Sequence, residues 1–330
     1  MELYLDQLVL FLAVKNLLLV GAGNIGSRYL ESIIKEKIAY KIIVIDKSEL
    51  SLNNAKKKWI KDGGSQSIHK IFWSKAIPKD ISNYDLTIVS TSSKNRAELI
   101  KNISLKANVK NWIIEKILAQ STEELEIIKK FTLKATKVYV NTPKRQMKWF
   151  KKIQSQFPDV PVKIIKTGSL WGLTCNSIHY LDLVAFWTKE DLINLSTDFL
   201  DKKWFLSKRE GFYEITGKLL AKFSKGTELI LSSFPNKNDN SLKIKFKNKE
   251  TCEIFEKKGI AIFSNGNEVK GKLELQSKIG GPIITKIITD GECDLPSFEE
   301  SAKLHKVYLN SLLNHWNISN NKSDKLIPIT

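Results

Sequence analysis

Short apolar runs and longer amphipathic stretches alternate through the first part of the chain. The runs at 16–20, 42–46, 69–73, 86–91, 111–115 and 137–141 read as strands. The stretches near 24–36, 49–61, 94–106 and 121–134 read as helices. Strands separated by helices predict a parallel sheet with helices on both faces. Ser121-Thr122-Glu123-Glu124 opens the last of these helices with a capping-box pattern. Pro143 breaks the alternation and marks a boundary. Beyond it come a helix near 145–156, a strand near 161–168 and a helix near 175–187. From 209 to 288 the runs read as strands with turn residues between them, as at 211–215, 228–231 and 242–246. Apolar and polar positions alternate there, which predicts an antiparallel sheet with one covered and one wetter face. A last helix near 297–316 follows Leu295-Pro296, and 318–330 read as a loose tail.

The pattern therefore predicts an α/β fold with two domains. A doubly wound parallel sheet occupies 1–143, of which 1–14 is an extra lead-in, and an α+β domain with a large, mostly antiparallel sheet occupies 144–330. A chain of 330 residues has room for both.

The first strand runs straight into Gly21-Ala22-Gly23-Asn24-Ile25-Gly26, and a helix-like segment follows. In such a turn Gly21 permits the tight bend, Gly23 lets a diphosphate approach the backbone, and Gly26 lets helix and strand pack closely. Backbone N–H groups at the helix start, with the helix dipole, attract the diphosphate, so Asn24 and Ile25 belong to the same cradle. Asp46 ends the second strand, twenty residues after Gly26, where its carboxylate can accept from both ribose hydroxyls of an adenosine. This is the setting of a Rossmann dinucleotide site. The carboxylate repels a 2′-phosphate, which favours NAD(H), while Lys47 beside it leaves NADP(H) open.

Composition narrows the classes. Cys175, Cys252 and Cys293 are too few and too widely spaced for a disulfide framework or a zinc site, and a reducing cytoplasm is the natural reading. The formal charge of +18 invites nucleic acid as a partner. Its make-up argues otherwise. All but four of the 53 basic residues are lysines, scattered without a basic arm, whereas base readout favours arginine. An electropositive cleft for an anionic substrate is the sharper reading, and lysine-rich solvated surfaces the plainer one. The apolar start is not a signal peptide, because Glu2 and Asp6 replace a basic region and no cleavage site follows. No other apolar run approaches the length of a membrane span. The expected partner is thus a small molecule, with neither nucleic acid nor membrane.

Two residues are candidates for proton chemistry. Trp112-Ile113-Ile114-Glu115-Lys116 is a buried strand ending in charge, and ligands of a doubly wound sheet bind at the carboxyl ends of strands. Lys116 there could donate or accept a proton, or could form a surface pair with Glu115. His179 shares a helix face with Asn176 and with Asp182 or Leu183. That face opens after Gly168-Ser169-Leu170-Trp171-Gly172, where a substrate could sit. His69, His305 and His315 lack such a setting, and no histidine or cysteine spacing points to a metal.

The glycine turn, Asp46, Asp85-Leu86-Thr87-Ile88-Val89-Ser90-Thr91-Ser92-Ser93, Glu115-Lys116 and Ile178-His179-Tyr180-Leu181-Asp182 occur in that order. The ordered set resembles the Gfo/Idh/MocA oxidoreductases, a family of sugar and inositol dehydrogenases, over about residues 16–316. Cys293-Asp294-Leu295-Pro296-Ser297-Phe298-Glu299-Glu300, followed by His305, looks like members encoded with surface-polysaccharide genes. The resemblance implies a cytoplasmic NAD(P)-dependent dehydrogenase or reductase of a sugar or sugar derivative, assembled as a homodimer or homotetramer through its second sheet. Thr91, Ser92 and Glu115 would join the glycine turn at the cofactor. Lys116 would be the lysine of the family's E-K-P motif, touching the nicotinamide ribose and the substrate hydroxyl. His179 would be the acid/base histidine of D-x-x-x-H, and Arg145 falls where related proteins contact substrate, or merely starts a solvated helix. Trp171, Asn176 and Asp182 complete the candidate substrate site. Two positions depart from the pattern. Ile117 replaces the proline, and Cys175 replaces the aspartate that would hold the histidine. The alternative is a non-enzymatic dinucleotide sensor or scaffold on the same fold, which would need the glycines and Asp46 but not Lys116. A methyltransferase fits the glycine spacing less well.

Overall fold

The computed structural model describes residues 14–78, 83–235 and 240–330, so the expected lead-in lies, except for its last residue, outside the described residues. Residue contacts divide the chain into two units. One holds the segment ending at Glu115 with Ile127–Asn141 and Glu274–Ser297, and the other holds Lys116–Glu126, Thr142–Leu273 and Phe298–Thr330.

The first part of the chain runs β1 (Lys15–Val20), α1 (Asn24–Ile33), β2 (Tyr40–Ile45), α2 (Glu49–Lys61), β3 (Lys70–Ser74), β4 (Asn83–Tyr84) and β5 (Leu86–Val89). It continues with α3 (Arg96–Ser104), β6 (Asn108–Val109), β7 (Asn111–Glu115), α4 (Thr122–Thr132) and β8 (Lys137–Asn141). Among the described residues, the main sheet has six strands in the order β3-β2-β1-β5-β7-β8, and every pair is parallel. The order runs outward in both directions from β1, so the topological switch point lies between β1 and β5. Leu17, Leu18, Leu19, Leu86, Ile88 and Ile113 are almost fully buried. Each such side chain contributes about 1.5–3 kcal/mol by leaving water. This is the doubly wound sheet that the alternation predicts.

The second unit takes α5 (Lys148–Gln154), β9 (Pro161–Gly168), α6 (Leu173–Thr188), β10 (Leu192–Leu200), β11 (Phe205–Leu206), β12 (Tyr213–Glu214), β13 (Gly217–Phe223) and β14 (Glu228–Ser233). It also takes β15 (Leu242–Phe246), β16 (Thr251–Phe255), β17 (Ile260–Phe263) and β18 (Glu268–Lys270). Its eight-stranded sheet has the order β10-β13-β14-β9-β15-β16-β17-β18 among the described residues. Only the β14–β9 pair within it is parallel. Leu220, Ile230 and Ile165 align across three strands as a half-buried row. The covered face carries Leu219, Leu229, Leu231 and Ile164.

The pattern misreads two stretches. Residues 276–288 read as strand, but α7 (Gln276–Asp290) is a helix of the first unit. Ile279, Ile283, Ile284 and Ile287 all fall on its buried face, so packing overrides the strand preference of isoleucine. A Cβ at Gly281 would lie 2.3 Å from the carbonyl of Ser32, so the glycine lets α7 lie against α1. The tail after α8 (Phe298–Asn320) is not loose. Ile327 and Ile329 are fully buried, the Ile327 N–H donates to Gln120 O, and the Tyr213 N–H donates to Pro328 O. Two isoleucines around a proline are too short a run to show as an element in the sequence. Among the described residues, no helix is long and apolar enough to cross a membrane.

Candidate functional site

In the first unit the glycine turn is shaped as the motif requires. Gly21 has φ +99°, and a Cβ there would sit 3.0 Å from Ser90 and Thr91. A Cβ at Gly26 would come within 1.9 Å of Gly21 O, so no larger residue fits. Gly23 faces open space and begins α1 with no side chain capping the helix end. An anion therefore has both room and a helix dipole to meet. Asn24 is exposed and Ile25 half-buried beside it.

Asp46 closes the turn from β2. Its Oδ2 accepts the Ala22 N–H at 2.7 Å, and Oδ1 accepts the Ser48 N–H at 2.8 Å. A carboxylate has about four acceptor sites, so capacity remains for ribose hydroxyls. Lys47 is exposed next to it. Ser90 Oγ donates to Gly21 O at 2.7 Å, which ties the end of β5 to the turn. Thr91 and Ser92 follow, both half-buried, and Thr91 Oγ1 has no hydrogen-bond partner among the described residues.

Arg96 does work that the sequence did not reveal. It is fully buried, donates to Glu115 O at 2.6 Å and also donates to Thr91 O, so it fastens the ends of β5 and β7. Glu115 itself turns inward. It is buried and accepts from Asn141 Nδ2, which also donates to Gln276 Oε1. These groups, together with the open glycine end, fit a dinucleotide at the switch point of this sheet.

The second unit holds both candidates for proton chemistry. Lys116 is half-buried, and its Nζ donates to Cys175 O at 2.8 Å and Cys175 Sγ at 3.1 Å. The thiol stands where the family pattern has a carboxylate, and it takes the lysine rather than the histidine. The Lys116–Ile117 peptide bond is cis. His179, one turn further along α6, is half-buried, and its Nδ1 has no partner among the described residues. Desolvation holds its pKa well below the ordinary histidine value, and the nearby ammonium groups of Lys116 and Lys144 reinforce this against Glu256. Both effects favour the neutral imidazole.

Glu256 is the centre of a buried polar cluster beside it. It accepts from Lys144, from Lys166 at 3.1 Å and from the Tyr180 hydroxyl at 2.7 Å. Burial pushes its carboxyl up, but Lys144 and Lys166 outweigh that and hold it at about 2. Glu214, also buried, accepts the N–H groups of Thr174 and Cys175 and so caps the start of α6. Burial raises its pKa against those bonds.

The predicted polar stripe on α6 is divided. Asn176 donates to Trp171 O at 2.7 Å, and with Trp171 and Cys175 it lines a cavity of about 440 Å³. Lys208, Arg209 and Phe212 contribute the facing wall, all from the second unit. Asp182 instead pairs with Arg145 at 3.7 Å, and both line a separate cavity of about 200 Å³. Arg145 also reaches Glu300 at 3.3 Å. Burial lifts the Asp182 carboxyl to about 7 despite the guanidinium beside it. Among the described residues, no group of three or more histidines, cysteines or carboxylates could hold a metal ion.

No protein-family model matches the sequence, and no curated protein matches it. Solved structures do. The chain is similar to UDP-N-acetylglucosamine 3-dehydrogenase from Acidithiobacillus ferrooxidans, with a TM-score of 0.68 and 10% identity, over 93% of this chain and 98% of that one. It is similar to myo-inositol 2-dehydrogenase from Lactobacillus plantarum, with a TM-score of 0.66 and 14% identity, over 96% of this chain and 100% of that one. A myo-inositol dehydrogenase from Corynebacterium glutamicum gives a TM-score of 0.63 at 14% identity, over 93% and 97% of the two chains. At these identities the likeness establishes the fold: a parallel Rossmann-type sheet with a second, mostly antiparallel one.

Proposed function

We propose that this chain is an NAD(P)-dependent oxidoreductase of a sugar or sugar derivative, with NAD(H) preferred. The observation that carries the reading is the glycine turn closed by Asp46, with open space at Gly23 and an uncapped helix start. Gly21, Gly23, Gly26 and Asp46 would hold the dinucleotide, with Asn24, Ile25, Lys47, Thr91 and Ser92 around it. A bound nicotinamide supplies the hydride acceptor or donor.

The protein's own groups supply the proton path. In the direction of carbinol oxidation the hydroxyl proton leaves through Lys116, with the unpartnered Nδ1 of His179 as the second acceptor. In the reverse direction the same groups return the proton, with Lys116 donating from Nζ, which already points donors at Cys175. Lys116 is the main carrier and His179 the second, since Cys175 gives the histidine no carboxylate support. The enzymes of similar fold act, by name, on a nucleotide-linked amino sugar or on inositol. We infer an anionic sugar, nucleotide-linked or acidic, of the kind used in bacterial surface polysaccharides. Lys208 and Arg209 on the larger cavity support that choice by charge. We also infer that the protein works in the cytoplasm as a homodimer or homotetramer.

The test is a panel of sugar nucleotides and sugar acids offered with NAD+ or NADH, followed by nicotinamide absorbance. Turnover of one member with matching sugar oxidation or reduction is expected. NADH binding without turnover of any member would overturn the enzyme reading in favour of a sensor.

A further inference from the structure

His305 and Tyr308 lie three residues apart on α8 and are fully buried. His305 Nε2 accepts the Leu118 N–H at 3.2 Å, and its Nδ1 lies 2.8 Å from Ser301 O. The two bonds together select the neutral tautomer with the proton on Nδ1. The Tyr308 hydroxyl donates to Thr174 O at 2.5 Å. Leu118 stands two residues after Lys116, and Thr174 immediately precedes Cys175. Lys116 and Cys175 are themselves joined at 2.8 and 3.1 Å. One helix therefore grips both segments whose meeting sets the lysine ammonium.

We propose that His305 and Tyr308 are positioning residues that hold the Lys116–Cys175 contact in register from behind. The proposal rests on the reading of Lys116 as the proton carrier. Neither residue reaches the reacting atoms. Burying an imidazole and a phenol is costly unless each is hydrogen-bonded, and apolar side chains would fill the same volume without that cost. The two polar groups are spent on backbone atoms beside the lysine and the cysteine. A misplacement of about 1 Å can cost about a hundredfold in rate, so a brace of this kind acts through turnover rather than through cofactor affinity.

Three variants test it: His305→Leu, His305→Gln and Tyr308→Phe. The glutamine keeps an acceptor for Leu118, and the phenylalanine removes one hydroxyl only. Two readouts are used on the full chain. One is hydrogen exchange of the peptide spanning 116–120, and the other is kcat with the NADH Kd measured separately. We expect His305→Leu and Tyr308→Phe to speed exchange and to lower kcat about tenfold or more, with the NADH Kd unchanged to about twofold. His305→Gln should recover both. Should His305→Leu fail to fold, Tyr308→Phe and His305→Gln still decide. Unchanged exchange in Tyr308→Phe, faster exchange with full turnover, or no recovery in His305→Gln would each overturn the proposal. If the wild type turns over no sugar, the reading of Lys116 fails separately. The exchange and recovery pattern then still decides whether the helix braces this contact.

Discussion

The two units build their candidate sites in different ways. In the first, the site is made largely of backbone, and its parts are strand ends. Side-chain oxygens of Ser90 and Asp46 bond to main-chain atoms of the turn around Gly21 and Gly26, as in the bond from the Ala22 N–H to Asp46 Oδ2. In the second, side chains from distant segments converge. Lys116 meets Cys175 59 residues on, Lys144 meets Glu256 112 residues on, and Leu118 meets His305 187 residues on. A backbone site tolerates little change of residue size but much change of chemistry around it. A convergent side-chain site allows the reverse, and Cys175, a thiol bonded to Lys116, is an instance.

The contrast is broken most forcefully at Gly26. Gly26→Ala forces a methyl against the Gly21 carbonyl, so NADH affinity should fall at least about a hundredfold, near 2.7 kcal/mol. Fluorescence titration of NADH reads this, and affinity within tenfold of wild type would show that the turn is not the binding element. Lys116→Ala sharpens the other side. Turnover should fall at least about a hundredfold, the lower end for a general acid or base, while NADH affinity stays close to wild type. Steady-state kinetics on a substrate from the panel supplies the number, and full activity would remove Lys116 from the chemistry. His179→Ala should cost less than Lys116→Ala in the same assay.

Asp46→Asn keeps the acceptor for Ala22 but loses the charge. It should narrow the preference for NADH over NADPH by about tenfold, or 1.4 kcal/mol. A wild type that prefers NADPH contradicts this reading outright. The remaining effects concern stability. Burial raises Asp182 from 3.8 to about 7, so its contribution is present below 3.8 and is lost as pH rises through about 7. Glu256 is lowered from 4.5 to about 2, so its contribution is present above 4.5 and is lost as pH falls through about 2. Thermal melts against pH should therefore change slope in opposite senses in Asp182→Asn and Glu256→Gln. Parallel slopes would contradict the assigned environments.

The same contrast explains what the sequence made legible. The first unit's strands and glycine turn were readable because period, turn chemistry and the Asp46 position are all local. Arg96 is not legible in the sequence because it bonds the carbonyls of Thr91 and Glu115, and a carbonyl leaves no trace in sequence. In the second unit Lys116 and His179 stood out by type and setting. Glu256, His305 and Tyr308 did not, because their partners lie on other elements far along the chain. Asn176 and Asp182 share a helix spacing, yet they line different cavities, since a helix face spreads over two neighbours. Helix α7 was misread because isoleucine favours strands locally, while its register against α1 is a tertiary matter.

Oxidoreductase function requires that the first unit bind a dinucleotide. Calorimetric titration of the full wild-type chain with NADH tests it most directly. Saturable binding with a Kd below about 1 mM, stronger than about −4.1 kcal/mol, is the predicted result. Absence of binding by both NADH and NADPH at that concentration, in protein shown by melting to be folded, would contradict it.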